Sequence, residues 1–349
     1  MTIDKVDNKG KYKDARPTMR SIAEMAKVNV STVSRVLRQR PAETDSEAAQ
    51  HIRRLAEELG YRPDAWAASL RSRRTNALGV VVTRLTDVVM ASVYESIEEY
   101  AQARGYLAIG GSSRDDPEEQ RRRIEHYLDR RVDGLLIGDA HLHAPFLDEL
   151  SAREVPFILF NRSSGDHPSV TWDDELGGAI VARHFMDLGH EHIAIVNGPP
   201  HASSGTVRAR GFVDALAKEG IVLPPEMIIN AGFDAAAGRR AAKELLAMRP
   251  HPTAIFAVND YSAIGVMGVI RDAGLEVGKD IAVVGYNDIT IANDLVVPLS
   301  SVRVPIDVMG RTAVEMIVAR MNGEPVGSRR LTPYLVVRDS SRNRPDRTS

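Results

Sequence analysis

The stretch that most constrains the fold lies near the amino terminus, where two short helical patterns are separated by only three residues. Residues 30–37 carry Val33, Val36 and Leu37 at i, i+3 and i+4, which places these side chains on one face of a helix. The side chains on the opposite face are short or cationic, as a helix lying in a DNA major groove requires. Residues 21–26 form a shorter amphipathic helix before it. This arrangement predicts a helix-turn-helix, with an ordinary helical hairpin as the alternative.

The amino-acid sequence of this stretch resembles the headpiece of the lactose/galactose repressor family. The resemblance rests on MRSIAEMA at 19–26, VSTVSRVL at 30–37 and ELGYRP at 58–63. It departs at Lys27, where the family usually has glycine, so a positive φ there would strain the turn. The resemblance implies contacts with DNA from the outer face of the second helix and from a hinge. The implied residues are Thr18, Val30, Ser31, Thr32, Ser34, Arg35, Leu70 and Arg71.

Residues 63–71 have the composition of a short helix, with Pro63 suited to its first turn. A helix of this length is marginal in water by itself. The resemblance implies that it folds when two copies meet on the DNA minor groove, with Leu70 as the wedge that opens a base step. Trp66 is bulkier than the usual residue where two hinges pack. A linker whose Leu70 packs on its own body is the alternative.

From Asn76 onward, buried strand patterns alternate with helical ones, and the alternation then repeats. This pattern predicts parallel sheets with helices on both faces. Two such units in succession resemble the two-lobed, sugar-binding fold of periplasmic binding proteins. The predicted fold class is therefore an α helix-turn-helix headpiece plus an α/β two-lobed body with parallel sheets.

These patterns divide the chain into five segments. We predict a disordered arm at 1–17, a headpiece at 18–62, a hinge and linker at 63–75, a ligand-binding and dimerisation body at 76–339 and a tail at 340–349. Within the body, the first lobe is expected at about 76–171 and 304–325, and the second at about 172–303 and 326–339.

The resemblance also implies a set of ligand-contacting residues between the two lobes. Asn161, Asn259 and Asn287 each follow a predicted strand, and ligands of parallel sheets lie at the carboxyl ends of strands. Each asparagine alone also fits an ordinary turn after a strand. The full implied set is Val89, Asn161, Trp172, Ser204, Arg208, Phe233, Asn259 and Asn287.

Two departures from the family bear on the ligand. Amides stand at Asn161 and Asn287, where the family often has aspartate, and Arg208 is the one cation that the resemblance places in the cleft. An arginine with fewer acids nearby predicts a preference for acidic sugars over neutral ones. The stretch at 87–90 is aliphatic after Asp87, where the family often has an aromatic run, and this disfavours a purine held between rings.

Charge and composition narrow the function further. The net charge is −2, but residues 11–74 contain 14 Lys or Arg against 8 Asp or Glu, which suits a headpiece that meets phosphates. The chain has no cysteine, no signal-peptide pattern and no membrane-spanning run, so a soluble, cytoplasmic protein is expected. His184, His190 and His192 are close in sequence, but His190 and His192 precede a predicted strand within a stretch that resembles the family. We predict no metal site and no cofactor.

The sequence therefore predicts a transcriptional regulator rather than an enzyme, since Walker, nucleophile-elbow and zinc-protease motifs are absent. The expected protein is an effector-responsive repressor of carbohydrate genes that acts as a homodimer on operator DNA. Its expected effector is a sugar or sugar acid. Two alternatives stay open: a global regulator of the same fold that answers to a partner protein, and a sugar-binding carrier.

Overall fold

The computed structural model describes residues 17–38, 46–61 and 74–342. The chain divides into two compact units, Met1–Thr75 and Asn76–Ser349, and each is described by itself. The predicted arm up to residue 16, the hinge with Trp66, Leu70 and Arg71, and the last seven residues lie outside the described part of the chain.

The headpiece consists of three short helices around one small core. They are α1 (Met19–Ala26), α2 (Val30–Arg38) and α3 (Glu47–Glu58). The predicted inner face of α2 is confirmed, because Val33 and Val36 are buried against Ile22 of α1 and Ile52 of α3. Three helices this short depend on this shared apolar contact, since helices of such length are marginal alone.

The start and end of α1 explain how the chain turns into α2. The sequence suggests an incomplete capping box at Thr18, but this expectation is wrong. Ser21 completes the box, because its Oγ accepts a hydrogen bond from the Thr18 N–H at 2.8 Å while Thr18 Oγ1 accepts one from the Ser21 N–H. Lys27 ends the helix with φ 53°, so the suspected positive φ is present in a residue other than glycine.

The body is built from two six-stranded sheets and the helices that cover them. Its helices are α4 (Val88–Ala103), α5 (Pro117–Asp129), α6 (Pro145–Ala152), α7 (Asp174–Asp187), α8 (Ser203–Lys218), α9 (Ala235–Ala247), α10 (Asp260–Asp272) and α11 (Ile306–Met321). Its strands are β1 (Ala77–Val82), β2 (Leu107–Ser112), β3 (Gly134–Ile137), β4 (Phe157–Phe160), β5 (Ser169–Trp172), β6 (Ile193–Asn197), β7 (Ile228–Asn230), β8 (Ala254–Ala257), β9 (Ala282–Asn287), β10 (Ser300–Arg303), β11 (Arg329–Leu331) and β12 (Tyr334–Val336).

Each sheet forms the centre of one lobe. The first has the order β11-β5-β4-β3-β1-β2, and the second has the order β12-β10-β9-β8-β6-β7. All neighbours pair in parallel except β10 and β12, which are antiparallel. The predicted parallel sheets are thus present. Strand β11 pairs with β5, so residues 329–331 belong to the first lobe rather than to the second, where the sequence placed them.

Alternating side chains of the buried strands cover both faces of the first sheet. Leu78 and Val80 of β1 pack with α4 and α11 on one face. Val81, the next residue along β1, packs with Ile124 of α5 and Leu147 of α6 on the other. Because both faces are covered by helices, the strands show nearly continuous apolar runs, as parallel sheets do.

The end of the body differs from the sequence-based expectation. Ser340 and Ser341, predicted to begin a disordered tail, are fully buried. Ser341 Oγ lies 2.8 Å from His184 Nε2, and Ser340 Oγ donates to the Val283 carbonyl at 2.6 Å. These hydrogen bonds anchor the segment after β12 to the second lobe. Within the described residues, none of the helices has the length and apolarity needed to cross a bilayer.

Candidate DNA-reading surface and ligand cavity

The outer face of α2 carries the side chains that the sequence assigned to DNA. Val30, Ser31 and Arg35 are exposed, while Thr32 and Ser34 are half-buried beside them. Thr18 is exposed at the amino end of α1. A helix whose apolar face is fixed by a core and whose other face offers a guanidinium and hydroxyls matches the requirements of base-edge readout in a major groove.

A cavity of about 370 Å³ lies between the two sheets of the body. The first lobe contributes six lining residues and the second contributes five. They are Thr83, Asp87, Val89, Met90, Asn161 and Arg162, then Ser204, Arg208, Phe233, Asn259 and Asn287. Seven of the eight residues predicted to contact a ligand thus lie together. A lining that mixes polar and apolar side chains suits a small polar molecule.

The three predicted asparagines lie at strand ends and line this cavity. Asn161 directly follows β4 with φ 61°, and Asn287 ends β9 with φ 103°, conformations that asparagine tolerates better than most residues. Asn259 caps α10, where its Oδ1 accepts from the Ser262 N–H at 3.0 Å, and this bond does not use its Nδ2 donor. The strand ends therefore bring amide groups from both lobes to one place.

Arg208 is held by a buried network, which corrects the charge argument made from sequence. Its Nε donates to Asp174 Oδ1 at 2.8 Å and its Nη1 to the Val258 carbonyl at 2.8 Å. Its guanidinium carbon lies 3.7 Å from the centroid of the Tyr286 ring. Although burial opposes the charge, Asp174 raises the pKa of Arg208. Because Asp174 neutralises Arg208, the reason for expecting acidic sugars is removed. Arg208 nevertheless lines the cavity.

Arg162 is a second cation in the lining, and it too is paired. Its Nη1 lies 2.6 Å from Asp115 Oδ1, and its Nη2 lies 3.3 Å from Oδ2. Its guanidinium carbon lies 5.9 Å from the Phe233 ring centroid, so it contacts the opposite lobe. The expectation that Arg208 is the one cation of the cleft is therefore wrong.

Asp87 adds an acid to the same lining. It caps α4 by accepting hydrogen bonds from the backbone N–H groups of Val89 and Met90 at 2.9 and 3.5 Å. Burial raises the pKa of this carboxyl, although the two N–H groups and both arginines of the cavity act in the opposite direction. The cavity thus contains an acceptor that the sequence reasoning did not identify, although Asp before an aliphatic helix start is a visible capping signal.

Trp172 is the exception among the predicted ligand residues. It ends β5, is buried in the core and does not line the cavity that the other seven share. Instead it borders a separate cavity of about 680 Å³, together with Asp174, Ser203 and Arg210. Its position does not support ring stacking on a ligand held by the asparagines.

Direct contacts join the lobes beside the cavity. The Ser163 N–H donates to Ser203 Oγ at 2.9 Å, and the Leu142 N–H donates to the His201 carbonyl at 2.9 Å. The first partner of each pair belongs to the first lobe and the second partner to the second lobe. These bonds place the described body in an arrangement with its lobes in contact.

Comparisons with known proteins agree with both parts of this architecture. The sequence profile of "Bacterial regulatory proteins, lacI family" matches residues 18–64, and that of "Periplasmic binding protein-like domain" matches residues 182–341. The chain is 31% identical to the HTH-type transcriptional repressor PurR of Photobacterium profundum over 93% of this chain and 98% of that protein. It is 29% identical to the ribose operon repressor of Escherichia coli K12 over 93% of this chain and 99% of that protein.

Solved structures show the same likeness. The lac repressor dimer bound to operator and the anti-inducer ONPF superposes with a TM-score of 0.84 at 26% identity, over 94% of this chain and 99% of that one. The transcriptional regulator CelR in complex with cellobiose gives a TM-score of 0.72 at 29% identity, over 93% and 100%.

A helix-turn-helix headpiece and a two-lobed body with a polar cavity together define a DNA-binding regulator that responds to a small molecule. The extent of the likeness gives the family: the chain belongs to the lacI family of bacterial regulatory proteins. It is accordingly a transcriptional repressor and not an enzyme.

Proposed function

We propose that this chain represses carbohydrate uptake or catabolism genes as a homodimer on a nearly palindromic operator, and that a sugar or sugar derivative in the cavity controls its affinity for DNA. A single headpiece reads one half-site, so two-fold symmetry follows from the way such helices meet DNA. A protein that acts on chromosomal operators works in the cytoplasm. The lac repressor structure described above is a dimer on operator DNA, which supports the same assembly here.

The observation that carries the ligand class is the chemistry of the cavity lining. Amides at Asn161, Asn259 and Asn287 offer donors and acceptors in pairs, which match the hydroxyl groups of a sugar. The Phe233 ring offers an apolar face for C–H groups. One relative is named a ribose operon repressor, and the regulator CelR was solved in complex with cellobiose, which points to the same class.

Both arginines of the lining are paired with carboxylates, so a net negative ligand has no excess positive charge to meet. We therefore include neutral sugars on equal terms with sugar acids. Asp87 adds a further acceptor for a hydroxyl group. The preference for acidic sugars that Arg208 alone suggested is therefore dropped. The choice of ligand then depends on hydrogen bonding rather than on charge.

Calorimetric titration with a panel of neutral and acidic sugars tests this proposal. We expect at least one sugar to bind the wild-type chain, and Asn287→Ala to weaken that binding by about tenfold or more because one removed hydrogen bond to a buried ligand costs about 1.5 kcal/mol. Asn293→Ala, an exposed asparagine outside the lining, is the control and should bind like the wild type. Equal affinity of both variants, or no binding by any sugar, would contradict the assignment.

A sugar carrier would share the body but has no use for the headpiece, so we do not favour that alternative. A regulator controlled by a partner protein remains the alternative that the calorimetric panel separates. If no sugar binds while a protein copurifies with the repressor and changes its affinity for DNA, the cavity is not the control site.

A further inference from the structure

A separate cluster of polar side chains joins the two lobes beside the ligand cavity. Asp115 follows β2 and His141 follows β3 in the first lobe, whereas His201 precedes α8 in the second lobe. His141 Nε2 lies 3.4 Å from Asp115 Oδ1, and His201 Nε2 lies 3.0 Å from Asp115 Oδ2. The two imidazole rings are stacked, with centroids 4.1 Å apart.

One donor atom from each of the three side chains lies within 4.8 Å of the others, so the three could converge on one metal ion. Two donors in a tetrahedral zinc site lie roughly 3.3–3.4 Å from each other, because each is about 2.0–2.1 Å from the ion. The contact of His201 with Asp115 also fits a hydrogen bond, but 3.4 Å from His141 is longer than an ordinary N–H···O bond. Both Nε2 atoms face carboxylate oxygens. With a proton on Nε2, each imidazole can donate to the carboxylate; without that proton, the lone pair and the carboxylate oxygen are both acceptors, and a cation between them would satisfy both.

We propose that Asp115, His141 and His201 form a binding site for a divalent transition-metal ion such as Zn²⁺, which would connect the two lobes of the body. Two imidazole nitrogens and one carboxylate oxygen are the donors that zinc prefers, whereas Mg²⁺ and Ca²⁺ prefer oxygen ligands alone. Three protein ligands leave a fourth position for water. The side chains are 23%, 19% and 40% exposed, so an ion can enter from solvent.

Arg162 orients the carboxylate of this site from its other side. Metal-bound carboxylates are usually held by a further hydrogen bond, and Arg162 supplies two to Asp115. Arg162 pairs with Asp115 at 2.6 Å, and this cation favours the ionised carboxylate that a metal ion binds. The guanidinium charge repels a second cation, so we expect weaker binding than in purely structural zinc sites. Since Arg162 also lines the ligand cavity, the two sites share a residue.

No local sequence pattern indicates this site, because its members are far apart along the chain and follow no ligand spacing. His201 is 86 residues from Asp115. Two of the three histidines that are close in sequence make structural contacts instead: His184 contacts Ser341, and His190 contacts Thr253. Only the folding of both lobes brings the cluster together.

The experiment uses the full-length chain without a purification tag, stripped of metal with a chelator. Zinc is titrated calorimetrically into the wild type, His141→Ala, His201→Ala and the control His143→Ala. His143 is exposed and lies two residues after His141 outside the cluster. Thermal unfolding of each variant is recorded with and without zinc. Each variant is compared with its own metal-free state, so a change in its basal stability does not affect the result.

We expect one zinc ion per wild-type chain, together with a higher unfolding temperature in zinc. His143→Ala should match this, and both cluster variants should lose the binding event and the shift. Magnesium should produce no shift in any variant. The proposal is overturned if the wild type binds no zinc saturably, if His201→Ala binds as the wild type does, if His143→Ala loses binding equally, or if magnesium gives the same shift.

Discussion

Removing the charge of the Arg208 side chain tests whether this residue stabilises the fold through its buried network with Asp174, and not only by contact with a ligand. In Arg208→Met, Asp174 would remain in the core without its cation, where the two side chains are 3% and 5% exposed. Breaking a buried pair by removing one partner costs about 3–5 kcal/mol. At about 2–4 °C for each kcal/mol in a domain of this size class, the unfolding temperature should fall by roughly 6–20 °C.

The matched control is Arg210→Met on the same helix. Arg210 pairs with Glu175 at 3.1 Å, but these side chains are 56% and 50% exposed, and exposed pairs contribute about 1 kcal/mol or less. A double variant, Arg208→Met with Asp174→Asn, removes the unpaired charge and should recover part of the lost free energy of unfolding. Tyr286 can still donate its hydroxyl to the amide oxygen at position 174.

Urea-induced unfolding followed by circular dichroism measures these differences directly. The pH dependence adds a second readout. In Arg208→Met, burial without a cation keeps the folded pKa of Asp174 above its unfolded value. The unfolded state then loses its proton first, so the variant should become less stable relative to the wild type as the pH rises above about 4. Equal losses of unfolding free energy in Arg208→Met and Arg210→Met, or a double variant less stable than Arg208→Met, would refute the role of the buried pair.

Three further predictions concern the headpiece, the helix packing and the pH response. Arg35→Ala should weaken operator binding in fluorescence anisotropy by about 1–3 kcal/mol, which is roughly 5- to 150-fold, while Arg54→Ala, which removes the same charge from an exposed site on α3, should change it less. Gly178→Ala should lower the free energy of unfolding measured by calorimetry by about 2 kcal/mol or more, because its Cβ would lie 2.1 Å from the Arg208 carbonyl oxygen. Gly327→Ala, with open space around it, should leave the free energy of unfolding nearly unchanged. Burial lowers the pKa of His190 to about 4, so stability should be lost as the pH falls from about 6.5 toward 4, and urea titrations of His190→Asn should show a smaller loss.

The elements that could be predicted from the sequence are those with a strong local period. The α2 face and the β1 strand appear where their apolar spacing placed them. Helix starts follow their caps rather than the apolar period, as α7 does by beginning at Asp174 directly after the capping residue Asp173. The short strands β5, β10, β11 and β12 were not predicted, because β5, β10 and β11 lack the continuous apolar runs that mark β3 and β4 and β12 is only three residues long.

The candidate site shows the same division. Asn161, Asn259 and Asn287 could be located because each lies at the end of a strand, and strand ends of parallel sheets meet at one edge. The electrostatics could not be predicted, since Asp174 and Arg208 are 34 residues apart and become partners only through the packing of α7 on α8. Trp172 illustrates the opposite error. The family resemblance assigned its ring to the ligand, but a resemblance does not give the direction in which a side chain points.

The central claim is that ligand in the cavity and DNA on the headpiece influence each other through one protein. The most direct measurement is the reciprocal coupling of the two binding events. Operator affinity is measured by anisotropy with and without a sugar found in the calorimetric panel, and sugar affinity is measured with and without operator. We predict that both affinities change by the same factor, about 5–150-fold, because coupling free energy is shared between linked sites. Unchanged operator affinity at saturating sugar would contradict the account.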